Sequence, residues 1–136
     1  MVTPMSSSAA DVVTSFIAAC ERLDLDAAID HMSADVEYWN VPMEKVYGHD
    51  GVRGVLEPFL GPFEEIEWPV SHMVAEGTAE SGTVFTERVD RFRAGDVWLE
   101  LPVAGMFLVR GGKITVWRDY FDLNGFMGEM GKLSAS

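Results

Sequence analysis

Arg88 and Asp90 lie two residues apart in a run of alternating character, and Asp119 lies in a later run, Trp117-Arg118-Asp119-Tyr120-Phe121-Asp122. Two carboxylates and a guanidinium aimed at apolar walls are equipment for acid and base chemistry. Two carboxylates brought together in a dry site cannot both ionise cheaply, so one is pushed toward the acid form while the other stays a base. If Asp119 points the same way as Arg88 and Asp90, the fork of Arg88 bridges both carboxylates through charge-assisted hydrogen bonds. The same three side chains also suit a purely structural ion-pair triad, since ion pairs between strands perturb carboxylates without any catalysis. Tyr38 and Asn40 share one face of an earlier run. A hydroxyl and a carboxamide side by side hold a water in a fixed orientation. By themselves they read more readily as a core tyrosine and a strand-ending asparagine.

The elements that must position these residues follow from periodicity. Ser7 or Ser8 caps a first helix from about Ala9 to Leu23, with Val12, Val13, Phe16, Ile17 and Cys20 on one face. Asp24 caps a second, short helix through Ile29 and Met32, and a brief strand over Val36 to Asn40 ends at Pro42. A third helix starts at Asp50 and stops at Gly61-Pro62. Beyond it, Ile66 to Val74, Thr83 to Arg93, Val97 to Val109 and Lys113 to Phe121 have period-two character and are separated by glycine-containing turns. Thr86 and Phe92 share the face of Arg88 and Asp90, whereas Glu87, Arg91 and Arg93 share the other, so both faces of that strand carry charge. Helices followed by strands predict an α+β fold: a curved, mostly antiparallel sheet of five to six strands with three to four helices on its concave face. Pro102 and Gly105 predict a bulge that lets the longest strand curl. The result is a cone with an internal pocket, formed by one domain over residues 1–136 with short frayed ends.

Ten basic against 22 acidic residues give a formal charge of -12. A field of that sign repels phosphate backbones and anionic lipid, so neither nucleic acid nor a membrane surface is an expected partner. Met1 to Ser8 lacks a basic stretch followed by an apolar one, and no later apolar run is long enough to span a bilayer, so a cytoplasmic protein is expected. Cys20 is the sole cysteine, which excludes an internal disulfide, and its place in an apolar helix stripe reads as a buried small hydrophobe. His31, His49 and His72 have no ligand-like spacing, so no metal site is expected; His72 is a candidate for the pocket wall. Phe126, Met127 and Met130 form an apolar stripe that suits packing or a subunit contact.

Taken together, Tyr38-Trp39-Asn40, Tyr47-Gly48, Thr86-Glu87-Arg88-Val89-Asp90, Gly112-Lys113-Ile114-Thr115 and the run from Trp117 to Asp122 resemble the limonene-1,2-epoxide hydrolases, in that family's order and at similar separations. The resemblance covers most of the chain. It implies the cone fold of nuclear-transport-factor-2-like and SnoaL-like proteins, no cofactor, and a homodimer. It also implies roles: Asp119 as the base that deprotonates a water held by Tyr38 and Asn40, Asp90 as the acid that protonates the epoxide oxygen, and Arg88 as the bridge between them. Ile17, Trp68, Phe92, Leu101, Val103, Phe121 and Phe126 would line an apolar pocket for a hydrophobic terpene, cyclic or lipid epoxide. The competing readings are a ketosteroid-isomerase-like or polyketide-cyclase-like enzyme of the same fold, and a non-catalytic carrier of apolar ligands.

Overall fold

The computed structural model describes residues 7–134. The chain ends, read as frayed tails, fall mostly outside them. Helix α1 (Ala9–Glu21) begins at Ser8, whose hydroxyl accepts from the Asp11 amide while the Asp11 carboxylate accepts from the Ser8 amide. That reciprocal cap satisfies two amides the first turn would leave open. Helix α2 (Leu25–Asp30) is capped by Asp24. Strand β1 (Met32–Asn40) starts four residues earlier than its alternation suggested, and a short strand β2 (Lys45–Tyr47), which had no pattern to reveal it, folds back along it before helix α3 (Gly48–Leu60).

The expected strand over Ile66 to Val74 is two strands, β3 (Glu65–Glu67) and β4 (Val70–Gly77). Pro69 causes the break, because it has no amide to give a ladder. The Trp68 amide goes to the Glu21 carboxylate instead, and the Pro69 carbonyl accepts from Val89. Both fragments pair antiparallel with the 14-residue strand β5 (Ser81–Ala94), β4 along its first half and β3 along its end. Strands β6 (Val97–Arg110) and β7 (Lys113–Tyr120) continue the meander, joined by Gly111-Gly112, both at positive φ. Two such residues between Arg110 and Lys113 make the tight hairpin turn whose twist matches the strands. Helix α4 (Leu123–Ser134) follows.

The sheet therefore has seven strands rather than five or six, in the order β2-β1-β7-β6-β5-β3 with β4 also on β5. It is curved and mostly antiparallel but not closed. One pairing departs from the expected meander: β1 joins β7 in parallel, setting Tyr38 beside Trp117 and Asn40 beside Asp119. The bulge expected at Pro102 and Gly105 is absent, since β5 and β6 pair without a register shift from Ser81 opposite Arg110 to Ala94 opposite Val97. Pairing with β7 begins only at Ala104, so no neighbour on that side asks Pro102 for an amide. The irregularity lies instead between Leu108 and Val109 against β7. It moves Ile114 into phase with the buried Trp117 and Asp119.

Phe16, Val13 and Cys20 of α1, Val52 and Leu56 of α3, and Phe107 and Trp117 of the sheet form the core. Phe126 faces inward from α4 and Met130 packs against the core, so the α4 stripe is a packing face and only Met127 is left prominently outside. Among the described residues no helix is long and apolar enough to cross a membrane.

Candidate active site

Strand β5 directs Thr86, Arg88, Asp90 and Phe92 inward, and β7 directs Asp119 to meet them. The Arg88 side chain is fully buried, with Asp90 and Asp119 at 5% and 7% exposure. Nε and Nη2 of Arg88 grip Asp90 side-on at 2.9 and 3.0 Å, and Nη2 also donates to Oδ2 of Asp119 at 2.9 Å. Nη1 donates to the hydroxyl of Thr86 at 3.0 Å. The other oxygen of Asp119 accepts from the indole nitrogen of Trp117 at 2.8 Å. One cation thus joins two carboxylates that face each other from strands with β6 between them.

Burial raises the Asp90 carboxyl, opposed by the charge and hydrogen bonds of Arg88 and reinforced by Asp119 and Glu21, and it titrates at about 6. Burial prevails over the side-on fork, which would otherwise hold the group ionised. For Arg88 the balance is reversed: burial would lower its pKa, but Asp119 and Asp90 raise it, so it stays charged. Burial pushes the Tyr38 phenol up and keeps it neutral, and burial likewise raises the Cys20 thiol, consistent with its reading as a small hydrophobe.

Tyr38 stacks on Trp117 at 4.1 Å with an interplanar angle of 10°. Nδ2 of Asn40 donates to the Tyr38 oxygen at 2.9 Å, leaving the phenol proton and the amide oxygen available. The parallel pairing of β1 with β7 is what brings these two groups to Asp119.

Tyr38, Asn40, Asp90 and Asp119 all open on one cavity of about 150 Å³. Of the expected wall residues, Trp68, Phe92, Leu101, Val103, Phe121 and Phe126 line it. Ile17 does not: it lies on the opposite side of Trp68, with Thr14, Glu21 and Met73. The helical stripe of α1 was the right signal for burial but could not say on which side of the tryptophan the residue would fall. His72 is not in the wall either; it is exposed on β4 and pairs with Glu87 at 2.8 Å. Met43, Val55, Leu56 and Phe59 complete the wall and were missed, because an apolar residue in a loop or on a helix face signals burial without saying what it borders. Thr86, which accepts from Arg88, and Trp117, which donates to Asp119, were also missed, although each shares a strand face with the group it contacts.

Residues 7–131 match the model of the limonene-1,2-epoxide hydrolase catalytic domain. The chain belongs to the limonene-1,2-epoxide hydrolase family. A relative, epoxide hydrolase EphG of Mycobacterium tuberculosis, is 32% identical over 111 residues, covering 82% of this chain and 71% of that protein. The solved structure of an M. tuberculosis epoxide hydrolase of the limonene-1,2-epoxide hydrolase type superposes with a TM-score of 0.77 at 31% identity, covering 97% of this chain and 96% of that one. A SnoaL-like polyketide cyclase fold from Shewanella putrefaciens matches with a TM-score of 0.75 at 14% identity, over 90% and 96% of the two chains. At that identity it bears on the cone fold alone, and the fold is the one expected of the limonene-1,2-epoxide hydrolase family.

Proposed function

We propose that this protein is an epoxide hydrolase that adds water to a hydrophobic epoxide, giving a vicinal diol in one general acid/base step without a covalent intermediate. The observation that carries the reading is a single buried arginine shared by two carboxylates that open, with a tyrosine and an asparagine, on an apolar cavity. In this reading a water donates one hydrogen to the free oxygen of the Asn40 amide and the other to Asp119, and accepts from the Tyr38 phenol. Asp119 takes its proton as the oxygen attacks a ring carbon. The opposite carbon–oxygen bond breaks, and Asp90 protonates the departing oxygen, which matters because an unprotonated alkoxide leaves poorly. The raised Asp90 carboxyl supports its role as the acid, and each proton transfer contributes about 10²- to 10⁴-fold. Passing the proton from Asp119 back to Asp90 resets the pair.

Terpene, cyclic and lipid epoxides share the required chemistry. A cavity of about 150 Å³ favours compact ones, since an apolar void of that size accommodates a benzene-sized body. We further expect a homodimer, supported by an apolar patch on the outer face of the sheet where Val74 and Phe85 oppose each other at 72% and 53% exposure.

The test is diol formation from a panel of terpene, cycloalkene and lipid epoxides in ¹⁸O-labelled water, followed by mass spectrometry for the wild type and Asp119→Asn. One labelled oxygen in the diol from a single turnover, lost in the variant, is the expected result. No diol from any member of the panel would favour an isomerase-like enzyme or a carrier on the same fold.

A further inference from the structure

We infer that Gly105 and Thr86 are positioning residues for the acid/base pair: the missing side chain at 105 is the seat of the Arg88 guanidinium, and the Thr86 hydroxyl holds it there. The inference rests on the epoxide hydrolase reading for its kinetic consequences and on geometry for its structural ones.

Strand pairing sets Thr86 of β5 opposite Gly105 of β6, Gly105 opposite Asp119 of β7, and Asp119 opposite Asn40 of β1. These four residues form one row across four strands. The neighbouring row begins with Val84, Phe107, Trp117 and Tyr38, all buried, so the inward face is filled on that side by bulky side chains. In the next row on the other side stands Arg88, paired with Val103. Arg88 and Asp119 are separated by the whole width of β6, about 9.6 Å at a strand spacing of about 4.8 Å. The guanidinium therefore reaches Asp119 only by lying flat over β6, and the place it occupies is that of a side chain at 105. A Cβ on Gly105 would overlap Nη1 of Arg88, and would stand 2.8 Å from Oδ1 of Asp119 and 2.9 Å from the Thr86 hydroxyl oxygen. All three atoms belong to the network, and none is the free end of a mobile chain.

This explains a glycine that has no backbone reason to exist. Gly105 is not among the glycines at positive φ, and its register with both neighbours is unbroken. Glycine in a strand interior weakens the strand, and a close approach by another group is the recurrent compensation. Here that group is a buried cation. Thr86 accepts from Nη1, the guanidinium nitrogen that contacts neither carboxylate, and so fixes the rotation of the fork about its axis. With both in place the fork faces Asp90 side-on and Asp119 through one nitrogen, the asymmetry that separates acid from base.

The experiment compares wild type, Gly105→Ala and Thr86→Val. Each is assayed for kcat and KM on the best epoxide of the panel as a function of pH, and the Asp90 carboxyl is titrated by ¹³C NMR in each protein. The charged groups that act on Asp90 are Arg88 on its own strand, Asp119 from β7 and Glu21 from α1. Only the first is displaced by the substitution. Gly105→Ala is expected to lower kcat about 100-fold, with KM changed less than about 3-fold, because a displacement of the order of 1 Å in a catalytic group has that effect. Asp90, losing the cation that lowers its pKa, should titrate at higher pH, and the limb of the kcat profile should move with it. Thr86→Val keeps the shape and removes one hydrogen bond, so a loss of about 10-fold with a smaller displacement in the same direction is expected. If Gly105→Ala does not fold, Thr86→Val decides by the same readings. A folded Gly105→Ala with wild-type kcat, or with lowered kcat and an unmoved Asp90 titration, overturns the inference. So does a Thr86→Val protein identical to wild type in both. A wild type without diol formation defeats the hydrolase reading instead, and the NMR titrations then still test the seat.

Discussion

Strand β5 carries two sets of ion pairs on its two faces, and they do different things with the same residue types. On the inner face Arg88 is buried and shared by Asp90 and Asp119. On the outer face, within five residues, Arg91 pairs with Glu67 and lies 4.4 Å over the Trp98 ring, while Arg93 reaches Glu64 and Glu65 at 3.3 Å. The Arg93 side chain is 28% exposed and its carboxylate partners more so. In water the outer pairs trade part of their hydration and side-chain freedom for a screened contact and gain little. Inside the cone the cation is what permits two carboxylates to be buried at all, and their shared confinement sets one of them near neutrality. What differs is solvent, not sequence.

Removing Arg88 should break the comparison most visibly. Arg88→Gln leaves two buried carboxylates without a counter-charge, so we expect a loss of about 3–5 kcal/mol in urea unfolding and no measurable diol formation. Next, Asp90→Asn keeps the shape of the site and removes the proposed acid; kcat should fall about 10²- to 10⁴-fold while the protein folds and still binds an apolar ligand, read by tryptophan fluorescence. The pH dependence sharpens the contrast. The folded Asp90 titrates at about 6, above the ordinary carboxyl value of 3.8, so the folded chain holds this proton more tightly than the unfolded one. Its contribution to stability is full below about pH 4 and is lost as pH rises to about 6. Urea titrations between those values should show that decline in wild type and not in Asp90→Asn, and the rate of diol formation should fall as pH rises through about 6. The smallest effect belongs to the outer face: Arg93→Gln should change stability by less than about 1 kcal/mol and leave kcat and its pH profile unaltered. Raising salt to about 1 M should erase even that difference, since exposed pairs are screened at such ionic strength and buried ones much less.

Much of the candidate site was legible before folding. The spacing of Arg88 and Asp90 puts both on one face whatever the strand pairs with, and Tyr38 and Asn40 likewise, because side chains in a strand alternate. Four of the five polar site residues and six of the seven named wall residues line the cavity, and Arg88 holds the two carboxylates without lining it. Ile17 was misplaced because helical periodicity reports that a face is buried, not against which partner. The single strand read over Ile66 to Val74 failed at Pro69, where alternation continues but the ladder cannot. Gly105 read as a bulge because glycine in a strand has two ordinary meanings, and the sequence contains no sign of the side chain that approaches it.

By itself the sequence determined the local matters: where the first two helices are capped, which residues share a face, where turns need glycine, and that one chain holds an arginine, two aspartates, a tyrosine and an asparagine at strand spacings. These depend on a few neighbouring residues and on backbone sterics. Only the tertiary structure decided which charged face of β5 is dry, that β1 joins β7 in parallel so that Asn40 stands beside Asp119, and that the row across Thr86 and Gly105 leaves room for a guanidinium. Each of these joins residues far apart in the chain, and register between distant strands is set by the packing of the whole inner face rather than by any segment alone.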